Sequence, residues 1–93
     1  MEEARRNHVA SRLEESGPEE LRVLTHLALH GRTDVSAVNR MCSNTVPINK
    51  LLLADLVKHI PAPPDEPNCQ QFYEINQRLS DAVVFNLNVR GLL

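Results

Sequence analysis

The side chains that could perform chemistry are few, and their spacing does not suit catalysis. His26 and His30 lie four residues apart, a spacing that lets two imidazoles on one helix hold a metal ion, although surface or half-buried histidines are the other interpretation. Cys42 and Cys69 are isolated, and the chain has no glycine-rich phosphate loop and no nucleophile-elbow pattern. Adjacent acidic residues occur where helices start or in connectors, which capping and helix-dipole effects explain. We therefore expect no enzyme activity, no metal site and no cofactor.

The composition indicates a small globular domain with an aliphatic core. Of the 93 residues, 42% are hydrophobic but only 3% are aromatic. A chain of this length buries a modest core. The N-terminus is charged, and no apolar run is long enough for a signal peptide or a membrane span. Two cysteines are too few for a disulfide framework, so we expect reduced thiols, a cytoplasmic location and no membrane partner.

Helices are predicted over the first third of the chain. A thin apolar stripe predicts one from Glu2 to about Glu15, and leucines at three- and four-residue spacing predict another from about Pro18 to His30. Ser16 and Glu19 form a capping-box pattern at the start of the second helix. Gly31 fits the left-handed residue that commonly closes a helix.

A polar turn, Cys42-Ser43-Asn44-Thr45, separates two further apolar segments. The segment before the turn predicts a short helix that ends near Met41. The segment after it is apolar over much of its circumference and predicts a helix from Val46 to Ile60. Pro47 falls in the first turn of that helix, where its missing N–H costs nothing. Two helices joined by a short turn form a helix-turn-helix unit, here residues 34–60.

The order of these elements resembles that of winged-helix and related helix-turn-helix transcription regulators. The resemblance covers Glu19 to Ile60, with EELRVLTHLALHG, TDVSAVNRMC and SNTVPINKLLLADLVKHI in the places of three successive helices. In these families the third helix lies in the major groove, its first polar residues face base edges and its apolar residues face the core. The residues that the resemblance assigns to DNA are Asn44, Thr45, Asn49 and Lys50 at the bases, and Arg40 and Arg32 at the phosphates.

The segment departs from the family pattern in three ways. The turn has no glycine, and Pro47 lies unusually early in the third helix. The Pro-rich residues 61–67 stand where the strand–turn–strand of a wing would follow, so we expect no wing. An αα-hairpin in a helical bundle is the other interpretation of the same two helices.

Positive charge is concentrated around the predicted helix-turn-helix. Residues 21–60 contain five Lys or Arg and two Asp, whereas the segments on either side are net acidic and the whole chain has a charge of −2. This distribution favours a polyanionic partner for that region. Five scattered cations on a solvated surface are the alternative.

The C-terminal arm, residues 68–93, follows a stiff Pro-rich connector at 61–67. The first part of the arm keeps helical spacing, and alternation over 82–90 then favours a strand over a continued helix. Because the chain offers no second good strand, that strand would pair with its copy in another subunit. Folding back over the helix from Val46 to Ile60 is the other interpretation. The residues predicted to dimerise are Phe72, Leu79, Val83, Phe85, Leu87 and Val89.

The sequence as a whole predicts a mainly α-helical protein, a small helical bundle in one compact domain. Residues 1–60 would form a helical core with the helix-turn-helix, and the arm would add a helix and a β-strand. The predicted function is that of a small DNA-binding transcriptional regulator acting as a homodimer. The alternative is a helical protein–protein interaction module, such as an adaptor, inhibitor or assembly factor, that does not bind nucleic acid.

Overall fold

The chain folds into a mainly α-helical domain with a small antiparallel sheet, seen in a computed structural model that describes residues 2–66 and 68–93. A short 3-10 helix, Gln77–Leu79, leads directly into the last α-helix. The elements are α1 (Glu2–Glu14), α2 (Pro18–His30), β1 (Thr33–Asp34), α3 (Val35–Met41), α4 (Val46–Leu53), β2 (Val57–Ile60), β3 (Phe72–Ile75) and α5 (Ser80–Val89). The mainly α prediction is therefore confirmed, with a sheet that the sequence did not predict.

The start of α2 has one half of a capping box, displaced by one residue from the predicted one. Gly17 is the N-cap, and its backbone N–H donates to Glu20 Oε2 at 2.9 Å. The prediction that Ser16 and Glu19 fill these roles is wrong, since the Ser16 hydroxyl instead donates to the Arg12 carbonyl of α1. Glu20 is thereby a buried carboxylate. Charged side chains are rarely buried unless they are paired, and the Gly17 N–H is one partner of this one.

The prediction of one helix from Val46 to Ile60 is wrong in its second half. The helix α4 ends at Leu53, and Asp55 adopts a left-handed conformation with φ 64°. The N–H of Leu56 then donates to the Leu51 carbonyl at 3.1 Å, and that of Asp55 to the Leu52 carbonyl at 3.1 Å. These two bonds form a Schellman motif, which closes the helix and sends the chain into β2.

The three strands form one sheet in the order β1-β3-β2. All neighbours are antiparallel; Val57 of β2 pairs with Ile75 of β3, and Thr33 of β1 pairs with Tyr73. The Pro-rich connector therefore joins β2 to β3 as a hairpin loop. A strand–loop–strand follows the helix-turn-helix segment after all, contrary to the prediction from residues 61–67, although Pro67 itself lies outside the described residues.

The arm reverses the predicted order of helix and strand. Residues 72–75, predicted as helix, form β3, and residues 80–89, where a strand was favoured over 82–90, form α5. Each strand finds its partner within the chain, so no second subunit is needed to complete the sheet. α5 packs against α1, which brings the two ends of the chain together. This helix–helix contact stabilises the helix because it buries residues four apart, Val83 and Leu87, rather than every second residue as a strand would.

The core is aliphatic, as predicted, and draws on both ends of the chain. Its fully buried members come from α1, α2, α3, α4, β2, α5 and the turn between α4 and β2; the largest are Leu13, Leu24, Leu51, Leu56 and Leu87. The aromatic rings of Phe72, Tyr73 and Phe85 lie outside this cluster or at its edge. Among the helices of the described residues, none has the length and apolar composition required to cross a membrane.

Candidate nucleic-acid interface

The turn between α3 and α4 is closed by a local hydrogen bond rather than by a glycine. Asn44 Oδ1 accepts from the Val46 N–H at 2.9 Å, an Asx turn that places the next residue at the start of α4. Pro47, Ile48 and Leu51 are buried and anchor α4 to the core. Pro47 thus contributes to packing, and it lies in the first turn of the helix, where a backbone N–H would have no partner within the helix.

The opposite face of α4 is exposed, and it mixes polar with apolar side chains. Asn49 and Thr45 are exposed and form no side-chain hydrogen bond within residues 2–66 and 68–93. Val46 and Leu53 lie three residues before and four after Asn49, and 53% and 87% of their surfaces are exposed. Residues at this spacing share one face of a helix. The outward face is therefore an asparagine between two aliphatic side chains, a pattern that sequence analysis missed at Leu53.

The cations of this region are largely paired with carboxylates. Lys50 Nζ lies 3.7 Å from Glu20 Oε1, and Arg32 Nε lies 3.5 Å from Glu74 Oε2. Lys58 pairs with Asp55. The local excess of positive charge seen in the sequence is thus partly neutralised in the folded chain.

Arg40 differs from these paired cations. Its Nε donates to the Ser36 carbonyl of the same helix at 3.2 Å, and the residue is exposed beside the α3–α4 turn. No carboxylate of the described residues lies within ion-pair distance of its side chain. Of the two arginines that the resemblance assigned to phosphates, Arg40 is therefore the better placed, because Arg32 already has an acidic partner.

The hairpin of β2 and β3 lies beyond the end of α4, and its loop is acidic. Asp65 and Glu66 are exposed in that loop. At its base, His59 Nε2 is 2.8 Å from Gln71 Oε1, and the His59 ring packs 5.5 Å from that of Tyr73. A loop with two carboxylates would be repelled by phosphates unless it points away from them.

The six predicted dimerisation residues do not share one surface. Val83 and Leu87 are fully buried in the core of the single chain, so they cannot offer contact area to a second copy. Phe72 and Leu79 are half-buried, in the sheet and in the 3-10 helix. Phe85 and Val89 remain exposed on α5, one helical turn apart, and the Arg6 guanidinium carbon lies 4.1 Å from the centre of the Phe85 ring. The helix causes this separation. In a strand, Val83, Phe85, Leu87 and Val89 would all point to one side, whereas in a helix residues two apart point to different sides.

The histidines of α2 and the two cysteines do not assemble into a metal centre within the described part of the chain. The His26 and His30 ring centres are 4.5 Å apart, but no group of three His, Cys, Asp or Glu is placed to hold an ion there. Both cysteines are free thiols. Burial, with the nearby Glu19 carboxylate, raises the pKa of Cys42, and the hydrogen bond from Cys69 Sγ to Glu66 Oε2 raises the pKa of Cys69. Both shifts disfavour the nucleophilic thiolate.

Comparisons with protein-family models, with curated proteins and with solved structures find no match to this chain. The features relevant to function are therefore those of the chain itself. They are the two short helices α3 and α4 with the turn between them, the exposed outer face of α4, an arginine beside the turn with no carboxylate partner among the described residues, and a hairpin that follows directly.

Proposed function

We propose that this chain is a small cytosolic DNA-binding regulator that presents α4 to the major groove and acts as a homodimer. The observation that supports this most directly is the arrangement of α2, β1, α3, α4 and the β2–β3 hairpin in that order. Winged-helix regulators, which the sequence resembles, follow their third helix with a strand–turn–strand, and this chain has such a hairpin. α4 buries one side and exposes the other, as a groove-reading helix requires.

The exposed polar residues at the start of α4 define the contacts of the proposed complex. Asn49 lies one turn into the helix, where its amide can form the paired hydrogen bonds that distinguish adenine. Thr45 and Asn44 lie at the N-terminal end, which docks closest to the bases or to the adjacent phosphate. Arg40 contributes a phosphate contact from α3. Lys50 reaches a phosphate only by leaving Glu20, so it contributes less than an unpaired lysine would.

The homodimer of this proposal uses the exposed part of α5. Phe85 and Val89 form an apolar strip on the layer of α1 and α5. A dimer that reads two half-sites on one face of DNA needs its two copies of α4 about 34 Å apart, one turn of DNA, so a two-fold axis at that layer has to meet this spacing.

The experiment begins with selection of a duplex from a random-sequence pool, followed by anisotropy titrations with the enriched duplex. Binding should weaken steeply between about 50 and 200 mM salt, because phosphate contacts release counterions. Asn49→Ala should cost about 1–3 kcal/mol on the selected duplex and little on a scrambled one. Arg40→Ala should weaken binding to both.

Gln77→Ala is the control, since Gln77 is an exposed amide side chain in the short 3-10 helix, outside both α4 and the strip of α5 proposed to dimerise. It should bind as the parent protein does. If selection enriches no duplex, or if Asn49→Ala and Gln77→Ala bind alike, the DNA-binding proposal is incorrect.

The second candidate is a protein-interaction module, and the exposure of Leu53 favours it. A leucine with 87% of its surface exposed, on the same face as Val46, is an anchor suited to an apolar partner. The ion pairs of Lys50 and Arg32 and the acidic hairpin loop point the same way. Leu53→Lys separates the two functions: it should strengthen or preserve binding to DNA, whereas it should abolish binding to a protein that covers this face.

A further inference from the structure

A groove on the outward side of α2 is separate from the proposed DNA interface. It encloses about 510 Å³, and its lining comes from α2, from the end of α3 and from the C-terminal tail. Apolar side chains form much of its wall: Leu21, Leu29, Met41 and Leu92. Leu29 has 64% of its surface exposed, so the apolar wall is open to solvent. The volume lies within the usual range of small-molecule sites, roughly 300–1,000 Å³.

Three of the four polar side chains that line the groove carry nitrogen groups. Arg22, His26 and His30 line it, each four residues after the last, and therefore form a row of nitrogen groups along α2. The His26 and His30 rings stand 4.5 Å apart, centre to centre. The Thr25 hydroxyl donates to the Leu21 carbonyl at 2.7 Å, so it is already engaged.

Among the residues that the structure describes, no carboxylate lines the groove. Of the two acids of α2, Glu19 accepts a hydrogen bond from the Ser43 hydroxyl at 3.0 Å on the side of the α3–α4 turn, and Glu20 is engaged by the Gly17 N–H and by Lys50. A wall with hydrogen-bond donors and a cation but no acid is complementary to an anion. Parallel to this row, Leu21 and Leu29 lie one residue before Arg22 and His30, so the same helix presents a nitrogen row beside an apolar row.

We propose that this groove binds a small organic acid with an apolar chain. The carboxylate lies against Arg22 and His26, and the chain lies over Leu29, Met41 and Leu92. The arginine supplies charge and a planar fork suited to a carboxylate, and the imidazole supplies a further N–H. None of the residues on which DNA binding rests lines this groove, so either proposal can fail while the other holds.

Decanoate is the probe ligand. Decanol, which has the same chain length but no charge, is the control ligand. Titrations are followed by the ¹⁵N–¹H amide signals of the full chain, below the concentration at which decanoate forms micelles. Decanoate should shift the amides of α2, Met41 and Leu92, and should bind about tenfold more tightly than decanol, as expected for a charge-assisted hydrogen bond.

Paired variants test the two halves of the groove. Arg22→Gln with His26→Gln should remove the preference for decanoate while leaving decanol binding unchanged. Leu29→Ser should weaken the binding of both decanoate and decanol. Arg32→Gln, which removes a cation outside the groove, should change neither. All four positions are at least partly exposed, and an unchanged spread of amide signals verifies the fold of each variant.

Three results would overturn the proposal. Equal affinity for decanoate and decanol would show that the nitrogen row has no role. Shifts confined to residues outside the groove would place the ligand elsewhere. Light scattering that reveals a dimer, with the groove amides protected by the second copy, would identify the occupant as another chain.

Discussion

Lys50 Nζ of α4 lies 3.7 Å from Glu20 Oε1, while the other carboxylate oxygen of Glu20 accepts the Gly17 N–H at 2.9 Å. One buried carboxylate therefore caps α2 and holds a cation of α4 at the same time. The cap satisfies a backbone donor that the helix leaves unpaired, and the lysine offsets part of the cost of burying the charge. A residue assigned to DNA from the sequence thus has a role within the fold.

The Glu20 carboxylate should contribute to stability mainly through the cap. Glu20→Ala removes both contacts and should lower the free energy of unfolding by about 1–2 kcal/mol. Glu20→Gln keeps an acceptor for Gly17 but not the ion pair, and should cost less than about 1 kcal/mol, because Lys50 is exposed. Urea denaturation measures both, with exposed Glu14→Ala as the control. A Glu20→Ala protein as stable as the control would show that the cap has no energetic weight.

The amide of Asn86 should hold the two ends of the chain together. Asn86 Nδ2 donates to the Arg6 carbonyl of α1 at 3.0 Å and to the Ala82 carbonyl of α5 at 2.8 Å. Asn86→Ala should lower the free energy of unfolding by about 1–3 kcal/mol, since the bonds are sheltered from water. Asn88→Ala, two residues on and exposed, should change it by less than about 0.5 kcal/mol. Equal losses in urea denaturation for the two variants would contradict this role.

Acid should weaken the fold in part through Asp55. The hydrogen bond from Lys58 is the largest cause that holds the pKa of Asp55 below its ordinary value of 3.8, and it outweighs the opposing effect of desolvation. Because the folded-state pKa is the lower one, the stabilisation is complete above pH about 4 and is lost as the pH falls through the folded-state pKa.

The Asp55→Asn variant should therefore differ most from the parent protein at pH 5, and the difference should shrink by pH 2. Thermal unfolding at a series of pH values measures this. Lys58→Met should remove the same part of the pH dependence, and Asp55→Asn should then add little to it. A gap between parent and Asp55→Asn that stays constant down to pH 2 would rule out the Lys58 contact as its source.

The exposed strip of α5 should determine whether the chain dimerises. Val89 has 70% of its surface exposed, so Val89→Lys places a charge in the proposed interface without disturbing the core. Size-exclusion chromatography with light scattering at micromolar concentration should give a dimer for the parent protein and a monomer for Val89→Lys. Leu53→Lys, at an even more exposed site that lies on α4 rather than α5, should remain dimeric. A monomeric parent protein would remove the dimer from the proposed function.

Local sequence signals were sufficient for the first three α-helices and for the start of the fourth. The spacing of Leu21, Leu24 and Leu27 predicted α2 with its observed bounds, and the polar turn predicted where α3 ends and α4 begins. Helices are readable in this way because each of their hydrogen bonds joins residues four apart. The end of α4 was missed because Asp55, rather than the glycine usual there, takes the left-handed position.

The sheet and α5 were decided by tertiary structure. Val57–Ile60 and Phe72–Ile75 become strands because they pair with each other across a long loop, a contact that no local pattern encodes. Val83 and Leu87 fit an alternating strand as well as a helix, and packing of α5 against α1 selects the helix. The candidate site also combines a feature that the local sequence predicts with one that it does not. The spacing of Asn49 within α4 was enough to predict that it lies on the outer face. The pairing of Lys50 with Glu20 depends on how α2 and α4 pack, because Coulomb attraction acts on distance in space rather than on separation along the chain.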